Sequence, residues 1–258
     1  MIAGAETIDM QEGNPHGILL LHGFGDTPQT LGLLARDLHS AGYDVRAPLL
    51  PGHGRSVDAF TISRRRDWLA CAREECARLR ATHASVSVAG LSMGGALAAI
   101  LAAERKDIQS LVLIAPYLEM QVTLSIVSAA HWLWGGLAGV RRSSNPRSIL
   151  DPDERAKNLG YGVYTGRLLY ELWRLAAQAR AALERIGAPT LVIQSRADPR
   201  IAPEVAERAF GALGAHEKRL VWAEGGGHII TVDYGRERVF AEVRSWIAAH
   251  AEGATATA

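Results

Sequence analysis

The most restrictive feature of this chain is a short apolar run, Val86-Ser87-Val88-Ala89, that passes without a break into Gly90-Leu91-Ser92-Met93-Gly94 and then into an alanine-rich stretch ending near Arg105. The first piece has strand length and β-branched residues; the last is built of strong helix formers. A chain that goes from strand to helix in so few residues must turn sharply. Any side chain beside Ser92 would collide with the strand or the helix, which explains a glycine on each side. This G-x-S-x-G setting lifts a serine hydroxyl above the carboxyl edge of a parallel sheet and makes it a candidate nucleophile. A glycine-rich turn without chemistry is the plain alternative.

The rest of the chain repeats the alternation. Apolar runs at 17–21 (GILLL), 43–47, 108–115, Thr190–Ser195 and 219–223 are separated by helical spacing at 63–82, 168–183, 203–213 and 235–249. A run as uniformly apolar as GILLL predicts a strand buried on both faces. Trp68, Ala72, Cys76 and Leu79 fall on one helical face. Asp26 or Thr27 is placed to cap a helix with Pro28 at its first position, and Gly42 lies just past its end. The pattern predicts an α/β chain with a mostly parallel central sheet flanked by helices, whose ligands bind beyond the carboxyl ends of the strands. Regularity lapses between 117 and 185. The expected division is a core of 1–116 and 186–250, a cap over 117–185 and a flexible tail over 251–258.

A serine nucleophile needs a base, and the base needs an orienting carboxylate, expected here in the order Ser, acid, His. Of His216, His228 and His250, only His228 sits in a loop after a strand and before a helix. Among the acids, Asp198 directly follows the strand Thr190–Ser195. Asp107 precedes its strand, Asp151 and Asp153 fall in the irregular segment, and Asp233 is placed to cap the last helix. An oxyanion needs backbone donors. Met93 follows the nucleophile, and Phe24 stands between two glycines in His22-Gly23-Phe24-Gly25 after GILLL. His22 and His53 read as loop-locking residues.

These motifs resemble the α/β-hydrolase superfamily, in LLLHGFGDTP, APLLPGHGRS, GLSMGG, SRADPRIAP and GGGHIITVDYGRERV, which span residues 17 to about 240. Within it the chain is most similar to small bacterial carboxylesterases and monoacylglycerol lipases. The resemblance implies an α/β-hydrolase fold with a small cap inserted after the sixth strand. It also implies Ser92, Asp198 and His228 as a triad and Phe24 and Met93 as oxyanion donors. Epoxide hydrolases and haloalkane dehalogenases of this superfamily use an aspartate nucleophile, whereas Ser92 stands here.

Composition narrows the remainder. Lys and Arg number 28 against 27 Asp and Glu, a net charge of +1, which disfavours a nucleic-acid partner. Arg64-Arg65-Arg66 reads as a solvated helix start. Cys71 and Cys76 are too few for a disulfide framework or a zinc site, and no metal or cofactor is expected. Residues 121–140 contain no Asp, Glu, Lys or Arg, but a membrane span there would separate the motifs, so they read as a cap with an apolar underside. Ile126, Trp132 and Trp134 are its candidate substrate contacts, and Ala96, Ala98 and Ala99 favour room for an acyl chain. The N-terminal composition has no leader-like pattern, which leads to a cytoplasmic expectation, as a monomer or homodimer. The expected substrate is a small-molecule ester, cleaved without a cofactor. The alternatives are a thioesterase, acyltransferase, cinnamoyl-type esterase or C–C hydrolase with the same triad, or a hydrolase-like binding protein.

Overall fold

The computed structural model describes residues 1–132 and 139–251. Five strands come first: β1 (Ile8–Met10), β2 (His16–Leu21), β3 (Asp44–Ala47), β4 (Ser85–Leu91) and β5 (Ser110–Ile114). β6 (Arg141–Arg142) and β7 (Val163–Tyr164) form a separate antiparallel ladder. β8 (Thr190–Ser195) and β9 (Lys218–Ala223) complete a seven-stranded sheet of order β1-β3-β2-β4-β5-β8-β9. Only the edge pair β1 and β3 runs antiparallel; every other pair is parallel.

Alternate strand residues feed two cores. Leu19, Leu21, Val86, Val88, Leu111 and Leu113 face one layer, holding α3 (Arg65–Thr82), α4 (Met93–Glu104), α7 (Gly166–Ala182) and α8 (Pro203–Ala212). Ile18, Leu20, Ala89, Val112 and Ile114 face the other, covered by α1 (Gly32–Ser40) and α9 (Arg236–Ala251). Burial on both faces is why these strands read as continuous apolar runs. α4 is buried all round, and its small residues let it sit between the sheet, α3 and α7. Ala96, Ala98 and Ala99 therefore pack in the core and do not line a ligand cavity, contrary to the expectation.

Three local expectations change. The helix after Pro28 begins as a 3-10 turn (Pro28–Leu31), and neither Asp26 nor Thr27 caps it through its side chain. A short α2 (Val57–Ile62), capped by Ser56 Oγ accepting from the Ala59 N–H, stands where the turn-rich 51–54 stretch led only to a loop; the helix expected over 63–82 follows it as the unbroken α3. The chain leaves the sheet after β5, its fifth strand and not its sixth, because only β1 precedes the GILLL strand. It returns at β8. Between them lie the β6–β7 ladder, α5 (Val122–Ala129), α6 (Pro152–Lys157) and α7. Ala251 ends α9, and the rest of the expected tail, 252–258, lies outside the described residues. Cys71 is half-buried, Cys76 is buried, and both are free thiols.

Candidate active site

Ser92 joins β4 to α4 with φ 55° and ψ −116°, a backbone conformation strained for any residue with a side chain. Its surroundings hold it there. The Ser92 N–H donates to the Ile114 carbonyl at 2.9 Å, and the Ser92 carbonyl accepts from the Gly95 and Tyr117 N–H groups at 2.9 and 3.0 Å. The two motif glycines are there for space. A Cβ on Gly90 would fall 2.1 Å from the Gly94 carbonyl oxygen, and one on Gly94 would fall 1.9 Å from that of Leu21.

The residues expected to work together meet at the carboxyl edge of the sheet. Ser92 Oγ lies 2.9 Å from His228 Nε2, and His228 Nδ1 lies 2.7 Å from Asp198 Oδ2. Asp198 Oδ1 accepts from the Arg200 and Ile201 N–H groups at 2.7 and 3.0 Å. Burial raises the Asp198 pKa, but the charge and hydrogen bond of His228 and the two backbone donors outweigh it and hold the carboxyl below its ordinary range. An ionised carboxylate only accepts, so Nδ1 carries the imidazole proton. Nε2 is then left to accept from the Ser92 hydroxyl.

Two supports escaped the sequence reading. Gln194, inside β8 and fully buried, donates through Nε2 to Asp198 Oδ2 at 2.9 Å; its signal was a polar amide in an otherwise apolar strand. Asp233 does not cap the last helix with its side chain. Its Oδ2 accepts from Gly227 and Leu150 N–H at 2.7 and 2.8 Å, and its Oδ1 from Asp151 and Tyr234 N–H, both at 2.9 Å. With the Ser148 carbonyl accepting from the His228 and Ile229 N–H groups, it clamps the histidine loop onto residues 148–151.

Ser92 and His228 open into a cavity of about 600 Å³. Phe24, Tyr117 and Val163, packed on the first core, and Leu172 within it supply an apolar wall; Arg155, Asn158 and Arg200 supply polar groups. The loop that carries Phe24 is locked by His22, whose Nδ1 donates to the Gly23 carbonyl at 2.9 Å while Nε2 accepts from the Leu50 N–H at 3.1 Å. Burial, opposed by the Gly23 hydrogen bond, lowers the His22 pKa to about 4. His53 Nδ1 donates to the Pro51 carbonyl at 3.1 Å, and burial first and then His22 depress its pKa strongly. Met93 opens α4, where first-turn N–H groups have no acceptor within the helix.

The expected contacts from residues 121–140 fare differently. Ile126 and Trp132 are 65% and 75% exposed and do not line the cavity. α5 packs against α7, and that packing leaves Ile126 turned to solvent. Trp134 lies outside the described residues. Among the described residues no helix is long and apolar enough to cross a membrane, and no group of three or more His, Cys, Asp or Glu could hold a metal ion.

The chain is similar to known proteins over nearly its whole length. Residues 14–234 match the family model described as Hydrolase_4, serine aminopeptidase S33. The chain is 32% identical over 251 residues to a thermostable monoacylglycerol lipase of Bacillus sp. (strain H-257), covering 97% of both chains. It is 26% identical to a carboxylesterase of Bacillus subtilis (strain 168), over 92% of this chain and 94% of that one. A solved structure described under the metagenome-derived lipolytic enzymes LipS and LipT superposes with a TM-score of 0.88 at 28% identity, covering 97% of this chain and 100% of that one. The monoacylglycerol lipase of Paleococcus ferrophilus shares the fold, with a TM-score of 0.82 at 23% identity over 95% of this chain and 98% of its own. From the matched residues and the full-length likeness, the chain belongs to the Hydrolase_4 family of α/β-hydrolases.

Proposed function

We propose that this chain is a serine carboxylic-ester hydrolase of the carboxylesterase or monoacylglycerol lipase type. It acts on short-to-medium-chain esters through an acyl-enzyme on Ser92. The observation that carries the reading is the continuous relay of Ser92, His228 and Asp198, opening into a cavity with both apolar and polar lining. Relatives named as a monoacylglycerol lipase and a carboxylesterase support it.

Each residue has one task. Ser92 Oγ attacks the ester carbonyl carbon as its proton passes to His228 Nε2, and Asp198 stabilises the imidazolium that results. The negative oxygen of the tetrahedral adduct is held by the backbone N–H groups of Met93 and Phe24, each such donor being worth about 2.7–4 kcal/mol of barrier. Collapse expels the alcohol, which takes the proton from Nε2. Water then attacks the acyl-enzyme, giving its proton to Nε2, and Ser92 regains a proton as the acid leaves. The acyl group is assigned to the apolar wall and the alcohol to the polar groups. Residues 117–185 are the cap over a core of 1–116 and 186–250, and the enzyme works in the cytoplasm as a monomer or homodimer.

The test is a set of initial rates for wild type and Ser92→Ala. The panel is a chain-length series of p-nitrophenyl esters with a 1-monoacylglycerol, a triacylglycerol and an aminoacyl p-nitroanilide. Ser92-dependent cleavage of short-to-medium esters and of monoacylglycerol is expected. Cleavage of the anilide alone would move the reading to peptide-bond chemistry, which the family model's description names.

A further inference from the structure

The loop that presents Phe24 also carries a carboxyl that the triad does not use. Asp26 lines the same cavity as Ser92 and His228. A Cβ on Gly23 would fall 3.4 Å from Asp26 Oδ2 and 3.5 Å from Ser92 Cβ, so the carboxyl and the nucleophile flank the same bare glycine. The adjoining helix makes no use of Asp26 as a cap. Among the described residues no cation is ion-paired with it. Arg200, which faces it, spends its guanidinium on Ser143 and Ser148. The side-chain donor that does reach Asp26 is Asn158, from the segment after α6. Gly160 keeps the approach clear, since a Cβ there would fall 2.5 Å from Asp26 Oδ1.

We propose that Asp26, supported by Asn158, binds the free hydroxyls of the leaving alcohol and so selects esters whose alcohol carries a vicinal diol. This rests on the ester-hydrolase reading above. A carboxylate offers about four acceptor sites across two oxygens, of which Asn158 takes one. Two adjacent hydroxyls can donate to such a group together, as a plain alkyl alcohol cannot, and hydrogen bonds to an ionised acceptor are the strong ones. A carboxyl kept half-buried beside a nucleophile without a cation partner is costly, and costs of that kind mark functional sites. Burial, opposed by the charge of His228, the Asn158 hydrogen bond and the charge of Arg200, raises its pKa to about 6.

The test uses a matched pair, 1-hexanoylglycerol and propyl hexanoate, which differ only in the two hydroxyls. The readout is the ratio of their kcat/KM values, which cancels the titration of His228 and the charge of Arg200, common to both substrates. In wild type the ratio should exceed about ten and rise as pH climbs through about 6, where Asp26 becomes an acceptor-only anion. Asp26→Ala and the near-isosteric Asp26→Asn should lower the ratio at least tenfold at pH 8 and flatten its pH dependence. A wild-type ratio near one, or one that is independent of pH and equal in the variants, would overturn the inference. The pH arm needs wild type alone, so it stands even if Asp26→Ala fails to fold. No Ser92-dependent turnover of either ester by wild type would instead overturn the ester-hydrolase reading.

Discussion

Replacing Asp233 with asparagine changes one oxygen to an amide nitrogen and almost nothing in size, yet it should destabilise this protein severely. The side chain is fully buried, and its two oxygens accept from four backbone N–H groups, two at each oxygen. Whichever way the amide turns, its NH2 faces two of those donors and satisfies neither. A buried donor left without an acceptor costs about 1–3 kcal/mol, so two cost about 2–6 kcal/mol, a large share of a total stability of about 5–15 kcal/mol. If Oδ2 is the atom lost, the released donors are Gly227 and Leu150, and Gly227 immediately precedes His228. The variant should therefore show a lower urea midpoint with an unchanged slope, and a reduced kcat at temperatures where it is still folded. Equilibrium urea unfolding followed by tryptophan fluorescence measures the first, and steady-state ester hydrolysis the second. A loss of stability below about 1 kcal/mol would refute the claim that Asp233 clamps the histidine loop through buried charge-assisted bonds.

Asp198→Asn should act on chemistry and not on the clamp. By analogy with other triads kcat should fall by about 10⁴ while KM changes little, and steady-state kinetics showing less than a tenfold loss would contradict the acid assignment. Gly94→Ala should not yield folded protein, because its Cβ would stand 1.9 Å from the Leu21 carbonyl oxygen and both are main-chain-bound; far-UV circular dichroism and soluble yield report it. Asp26→Asn should become more stable than wild type as pH rises. The folded-state pKa of Asp26 is raised to about 6 from 3.8, so its contribution favours folding below about 3.8 and is lost as pH climbs through about 6. The gain of the variant at pH 7 is at most about 3 kcal/mol, read as a difference in melting temperature across pH 4–8.

Much of this architecture was legible because burial on both faces writes itself into composition. β8 begins and ends where its apolar run does, at Thr190 and Ser195, and the sharp turn at Ser92 follows from glycines that nothing else explains. What stayed hidden was the choice among neighbours that local physics permits equally. Asp26-Thr27-Pro28 has the composition of a helix cap, but tertiary contacts turn Asp26 toward Asn158 and the cavity. The alanines of α4 announce close packing without saying whether a ligand or a helix does the packing, and here it is the sheet, α3 and α7. Ile126 and Trp132 were apolar enough to suggest a binding surface, but side-chain character does not fix the face a segment presents, and both lie exposed. Asp233 depends on donors brought in from Leu150 and Asp151, 83 and 82 positions away, and no spacing in the sequence reveals such convergence; Gln194 donates to Asp198 only four residues on, but which way its amide turns is set by the fold.

The most direct test of the central claim is to trap the acyl-enzyme. Wild type and Ser92→Ala would be mixed with p-nitrophenyl hexanoate, quenched with acid within the first turnover, digested and examined by mass spectrometry. The account predicts one hexanoyl group on the peptide that contains Ser92 in wild type, and neither acylation nor turnover in Ser92→Ala. An acyl group on a different residue, or turnover near the wild-type rate in Ser92→Ala, would contradict it.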